Sequence, residues 1–223
     1  MLAIQTEFRN FGSEERKLAN LQWFKENDAN KPNFLGVMHN VINDMVKKYH
    51  LDFNINDLHI LFSSEYHEER MLGIKLAIKI FDKSKKDESK RLEIFNISFA
   101  NKNYFNQWDL IDTISVNIFG YYLNENSKEF IELSLSTHWR DIRILLVSQL
   151  KTIRKDNQVD FALKLTQKYF DNTEDLIQKA VGWVLKECYE YALDNKSVYQ
   201  FIRSHQIHMS KLSYRIASEK FNK

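Results

Sequence analysis

The residue types that could do chemistry in this chain form a row of long polar side chains interrupted by one carboxylate. Four six-residue segments align: EYHEER ending at Arg70, QWDLID ending at Asp112, HWRDIR ending at Arg143 and TEDLIQ ending at Gln178. Arginines in such a row can grip phosphate oxygens, whereas a carboxylate repels them unless it meets a positive centre on the ligand. The pattern points to a groove for a polyanion in which Asp112 is reserved for a cation. Trp108, one helical turn earlier, offers a π face to the same charge. A plain structural reading competes: a carboxylate favourably placed near a helix N-terminus and an aromatic ring packed in the core. Asp109 suits that helix-terminal role better than Asp112 does.

The elements that must position these residues follow from the apolar pattern. Each segment opens an apolar helical run: MLGIKLAIKI, TISVNIFGYYL, ILLVSQLKTI and KAVGWVLKECY. The sixth positions are 42, 31 and 35 residues apart, as expected of stacked two-helix units with variable loops. Equivalent positions in such a stack lie side by side, which would place Arg70, Asp112, Arg143 and Gln178 along one face. Outside these inner helices, residues 2 to 26 read as helix, with Leu18, Leu21 and Trp23 among the apolar positions and Ser13 able to cap a second segment. The loop NDANKPN follows, and Pro32 predicts a helix start leading into a helix from Phe34 to Tyr49 through Val37, Val41, Met45 and Val46. Outer helices are expected over Ile55 to Phe62, through Phe95 and Phe99, over Val159 to Phe170 and over Asn195 to Phe201. The first inner helix is expected to begin near Glu65. ENSKEFIELSLS reads as a connector, Asn172 or Thr173 as a cap, and Met209 as the start of the final helix.

Composition narrows the class. The chain has 223 residues, 43% hydrophobic and 28% charged, with five glycines and one proline. So little turn chemistry argues against a many-stranded sheet, and the reading is all-α, a single domain over residues 1 to 223. One cysteine, Cys188, excludes an internal disulfide and a Cys-cluster zinc site and fits a reducing, cytoplasmic address. No basic start with an apolar core and no run of about 18 apolar residues is present, so neither an export signal nor a membrane helix is expected. The net charge of +2 leaves any polyanion binding to the distribution of basic residues. Residues 203 to 223 are locally positive, with Arg203, Lys211, Arg215, Lys220 and Lys223 against Glu219. Gly-rich phosphate loops are absent, HEER at 67 to 70 lacks the second histidine of HExxH, and His205 with His208 read as surface or capping residues. No metal or organic cofactor is expected.

These segments together resemble the AlkD-type DNA alkylation repair family, the HEAT-like DNA glycosylases. The likeness rests on FLGV at 34 to 37, YHEER at 66 to 70, QWDLID, the stretch from Trp139 through Arg143 to QLK at 149 to 151, IQKAVGWVLKE at 177 to 187 and the terminal MSKLSYRIASEKF. It implies a right-handed α-solenoid of HEAT-like repeats that binds duplex DNA as a monomer. It also implies hydrolysis of the N-glycosidic bond of cationic N3- or N7-alkylated purines, without metal and without fully extruding the base. The resemblance puts the catalytic aspartate at Asp112, the active-site tryptophans at Trp108 and Trp183, and a DNA-contacting arginine at Arg143. Arg70, Gln178, Lys179, Lys211 and Arg215 complete the expected DNA contacts. After FLGV the chain departs from the family, reading MHNVINDMVKKY where a proline and two basic residues are usual, and the spacing after Trp139 is one residue longer. The rival expectation is a non-catalytic HEAT-like module that binds damaged or branched DNA or a protein partner.

Overall fold

The computed structural model describes residues 1–22 and 31–221, and among these the regular secondary structure is helical apart from one isolated bridge between Asn33 and Tyr66. Trp23, residues 27–30 of the expected loop and Lys223 lie outside the described residues. The backbone divides into two compact units, Met1–Ile114 and Ser115–Lys223.

The first unit contains α1 (Ala3–Arg9), α2 (Glu14–Leu21), α3 (His39–Tyr49), α4 (Leu58–Phe62, entered by a 3-10 turn at Ile55–Asp57), α5 (His67–Lys83), α6 (Glu88–Ala100) and the start of α7 (Trp108–Asn117). Its core is aromatic and aliphatic: Leu58, Leu61 and Phe62 from α4 meet Leu72, Leu76 and Phe81 from α5, all fully buried. Phe62 stands edge-on to Phe105 at 5.2 Å. Each such side chain contributes about 1.5 to 3 kcal/mol by leaving water. The expected first helix is two, because Ser13 donates its N–H to the Leu35 carbonyl at 3.1 Å and caps α2 with its side chain.

Pro32 does not start a helix, and α3 begins at His39 instead. The reason is a long-range contact. Glu68 accepts the backbone N–H groups of Leu35 at 3.0 Å, Gly36 at 2.9 Å and Val37 at 3.3 Å, so these amides are held in a loop and not in a helical ladder. Gly36 has φ 76°, and a Cβ there would lie 2.0 Å from the Ser13 carbonyl oxygen, so no larger residue fits. The next carboxylate, Glu69, accepts from Arg9 at 2.6 Å, Ser64 at 2.6 Å and Gln5 at 2.8 Å. Burial pushes this acid up, but those bonds outweigh it and hold Glu69 below its ordinary range. Neighbouring glutamates at the start of α5 thus fasten everything N-terminal to it.

The second unit contains α8 (Lys128–Ser134), α9 (Trp139–Ser148), α10 (Leu150–Asp156), α11 (Asp160–Gln167), α12 (Asp175–Tyr191), α13 (Asn195–Ser204) and α14 (Lys211–Ala217). The expected connector ENSKEFIELSLS holds α8, which Ser127 caps and which buries Phe130 and Leu133. Its single turn and a half of apolar spacing is too short to stand out in sequence. Asn172 accepts the Glu174 N–H at 2.9 Å, while α12 itself begins at Asp175. In α12, a Cβ at Gly182 would fall 2.7 Å from the Ser213 carbonyl oxygen. Gly182 therefore lets α14 pack close to α12.

The Glu68 contact predicts a large effect from a small change. Glu68→Ala leaves three amides in a buried loop without their acceptor, and the urea midpoint should fall by the equivalent of about 2 to 4 kcal/mol. Equilibrium unfolding followed by circular dichroism measures it.

Candidate functional site

Trp108 and Asp112 lie one turn apart on α7, and the turn that feeds α7 is held from α5. Arg70 donates from Nη1 to the Tyr104 carbonyl at 3.1 Å and to Asn106 Oδ1 at 2.9 Å. Arg70 is only 6% exposed. Burial draws Arg70 below its ordinary value, and Asp109 and Glu68 oppose that. Arg70, expected at DNA phosphates, holds the turn before α7. Trp108 is 52% exposed, so its ring is not a core element. Asp112 is half-buried.

In the second unit the same row position is again taken up by packing. Arg143 is 4% exposed and donates to the Leu176 carbonyl in the first turn of α12. Gln178 is 3% exposed; its amide donates to the carbonyls of Tyr169 at 2.8 Å and Asn172 at 2.6 Å, and its oxygen accepts from Ser210 at 2.9 Å. Both are expected on a DNA-binding face, and both secure helix entries: a residue three or four places into a helix can fold back onto a neighbouring turn. Lys179 on α12 and Lys211 and Arg215 on α14 are exposed and make no ion pair among the described residues. Trp183 is half-buried, and its Nε1–H donates to Glu187 Oε1 at 3.0 Å. Glu187 also receives Arg154 through Nε at 2.7 Å and Nη2 at 2.9 Å. Burial pushes Glu187 up, and the bonds from Arg154 and Trp183 more than reverse it, leaving the acid below its ordinary range.

Sequence reasoning missed the surroundings of Trp108. A cavity of about 790 Å³ in the first unit is lined by Phe34, Met38, His39, His67, Trp108 and Asp109, among others. His67 Nε2 lies 2.9 Å from Asp109 Oδ2, and Phe34 is tilted against His67 at 5.2 Å. Asp109, expected to serve only the helix start, is thus half of a His–Asp pair. As a sequence motif HEER points only to metal binding, and the 42-residue gap between His67 and Asp109 hides the pairing. Among the described residues no group of three His, Cys, Asp or Glu is placed to hold a metal ion, and no helix is long and apolar enough to cross a membrane.

Comparison with known proteins gives the family. Residues 4–221 match the profile of the DNA alkylation repair enzyme family, and the chain belongs to it. Among solved structures it resembles a predicted DNA alkylation repair enzyme from Enterococcus faecalis, at 18% identity and a TM-score of 0.68, over 95% of this chain and 97% of that one. That likeness is one of fold. No curated protein matches the sequence.

The Glu187 network gives a test with a sign in pH. Folding holds this acid below its ordinary value of 4.5, so its stabilisation is present above that value and disappears as pH falls through the folded one. Glu187→Gln should cost about 1 to 2 kcal/mol at neutral pH and progressively less in acid. Paired urea titrations across that range check it, and a gap that stays constant into acid would contradict it.

Proposed function

We propose that this member of the family is a monofunctional DNA glycosylase acting on purines made cationic by N3- or N7-alkylation, in duplex DNA. The observation that supports it most is Asp112, a half-buried carboxylate one helical turn from an exposed indole, in a chain matched by the family profile nearly end to end. A purine alkylated at N3 or N7 already carries positive charge, so its bond to C1′ is weak and the base leaves without protonation. The bond's electron pair moves to the ring nitrogen and neutralises the base, while positive charge grows on the deoxyribose. A carboxylate at that point stabilises the charge and orients the water whose oxygen adds to C1′, with its proton passing to Asp112 or to solvent. One carboxylate suffices, where hydrolysis of an uncharged glycoside uses two.

Trp108 offers its ring to the same cation, an interaction of about 0.5 to 2 kcal/mol depending on desolvation. Trp183 and Arg143, which the resemblance assigns to this chemistry, belong to the reading too, although both already have protein partners. Phosphate contacts fall to Lys179, Lys211 and Arg215, which are exposed and make no ion pair among the described residues. Arg70 and Gln178 contribute by holding backbone.

The test is release of free 7-methylguanine and 3-methyladenine from methylated duplex DNA by the wild-type chain and by Asp112→Asn at matched folding. Wild-type release should fall at least a hundredfold in the variant, in line with removing one positioned electrostatic group. Binding of the same DNA with no release of either base above the spontaneous rate would establish a non-catalytic binding module instead.

A further inference from the structure

A cleft in the second unit, between the C-terminal turn of α12 and helices α13 and α14, encloses about 530 Å³. Its walls are aromatic and cationic: Tyr189, Tyr199, Tyr214 and Phe221 with Lys196 and Arg203. Among the described residues no carboxylate lines it. The acids close by in sequence are engaged elsewhere. Glu190 pairs with Lys220 at 3.4 Å, Glu219 with Lys186 at 3.0 Å, and Asp194 accepts the Ser197 N–H at 3.2 Å as the cap of α13. Lys196 and Arg203 are both exposed, and neither forms an ion pair among the described residues, so the cleft is positively charged.

The order of the groups along α13 gives the cleft its character. Lys196, Tyr199 and Arg203 stand at positions i, i+3 and i+7, on one face of the helix. They span about 10 Å of its axis. Tyr199, in the middle, is 38% exposed. Phe221 stands edge-on to both Tyr199 and Tyr189, at 4.9 Å in each case, which holds the exposed ring in place. Arg203 donates from Nη1 to the Tyr214 hydroxyl at 2.7 Å, so its guanidinium is fixed between α13 and α14. Its Nε and Nη2 have no hydrogen-bond partner among the described residues, and the Tyr214 hydroxyl, an acceptor here, keeps its own proton to donate. Packing accounts for the Phe221 contacts and for one guanidinium nitrogen. It does not account for an exposed ring set between two cations with donors to spare.

A cation at each end of an aromatic ring is what a single strand of nucleic acid needs. The charges hold phosphates and the ring stacks an unpaired base, whereas a base inside a duplex has no free face to offer. We infer that this cleft binds unpaired DNA, one base lying against Tyr199 and the phosphates on either side of it meeting Lys196 and Arg203. A space of about 530 Å³ is enough for one nucleotide. The strand it takes is unpaired before binding, at an overhang or a gap, and no base is drawn out of a duplex. The site is additional to the glycosylase reading and shares no residue with it. Asp112 and Trp108 belong to the first unit, and Lys179, Lys211 and Arg215 do not line the cleft.

Fluorescence anisotropy on the full chain tests it, with a blunt duplex and with the same duplex carrying a short single-stranded thymidine extension. The extended duplex should bind at least about fivefold more tightly, the contribution of one stacked base. Tyr199→Leu should remove most of that gain. Lys196→Gln should reduce it and shallow the salt dependence of the extended duplex by about 0.7 units, as the loss of one single-strand phosphate contact does. Both variants should bind the blunt duplex and release base as the wild type does. With 5-iododeoxyuridine in the extension, irradiation should cross-link the strand to Tyr199, located by mass spectrometry. Equal affinity for the two duplexes, a gain that survives either substitution, or a cross-link placed elsewhere overturns the inference, whatever the wild type does to alkylated DNA. The same gain and cross-link in a chain that releases no base would uphold the cleft and remove the glycosylase reading.

Discussion

The constraint on which the rest of this structure depends is that buried backbone groups in the turns leading into α3, α7 and α12 must be satisfied, and side chains do it. Glu68 takes three amides of the loop before α3, Arg70 takes a carbonyl and a side-chain oxygen in the turn before α7, and Gln178 takes carbonyls in the turn before α12. Arg143 reaches a carbonyl just inside α12. An unpaired backbone group in a protein interior costs about as much as a lost hydrogen bond, so long polar side chains are well suited to these positions. They are buried charges and amides with defined partners, and their types follow from the backbone group each must meet.

At the Asp112 position the row carries a carboxylate, on a helix whose entry Arg70 fixes. A fixed entry matters for chemistry because electrostatic stabilisation depends on a charge being in place before the reaction, with no cost of reorganisation during it. His67 adds a second restraint by engaging Asp109 on the same helix. The N-terminal end of α7 and the turn before it are therefore held by two side chains of α5, at positions 67 and 70.

Much of this arrangement was legible in the sequence. The all-α class and the starts of the long helices to within a few residues follow from apolar periodicity, because helical spacing reports which face is buried. What the spacing could not report is where a long side chain turns once its helix is built. Arg70 and Arg143, for example, are buried with their guanidinium groups on backbone oxygens, which apolar spacing does not report. The Phe34–Met38 loop was read as helix because its amide acceptor, Glu68, lies more than thirty residues away. Gly36, whose positive φ rules out helix there, was the local sign. The cavity was invisible for the same reason, since α3, α5, α7 and the loop before α3 each supply only a few of its residues.

The most direct test of this account is Arg70→Met, chosen because the replacement keeps length and packing while removing the donors to Tyr104 and Asn106. Single-turnover base release and DNA affinity would be measured together on the folded variant, with affinity followed across a salt series. If Arg70 positions α7, the release rate falls at least tenfold while affinity and its salt dependence stay near wild type. If affinity drops and the salt slope shallows by about one unit while the rate at saturating protein is unchanged, Arg70 is a phosphate contact and the framework account is wrong.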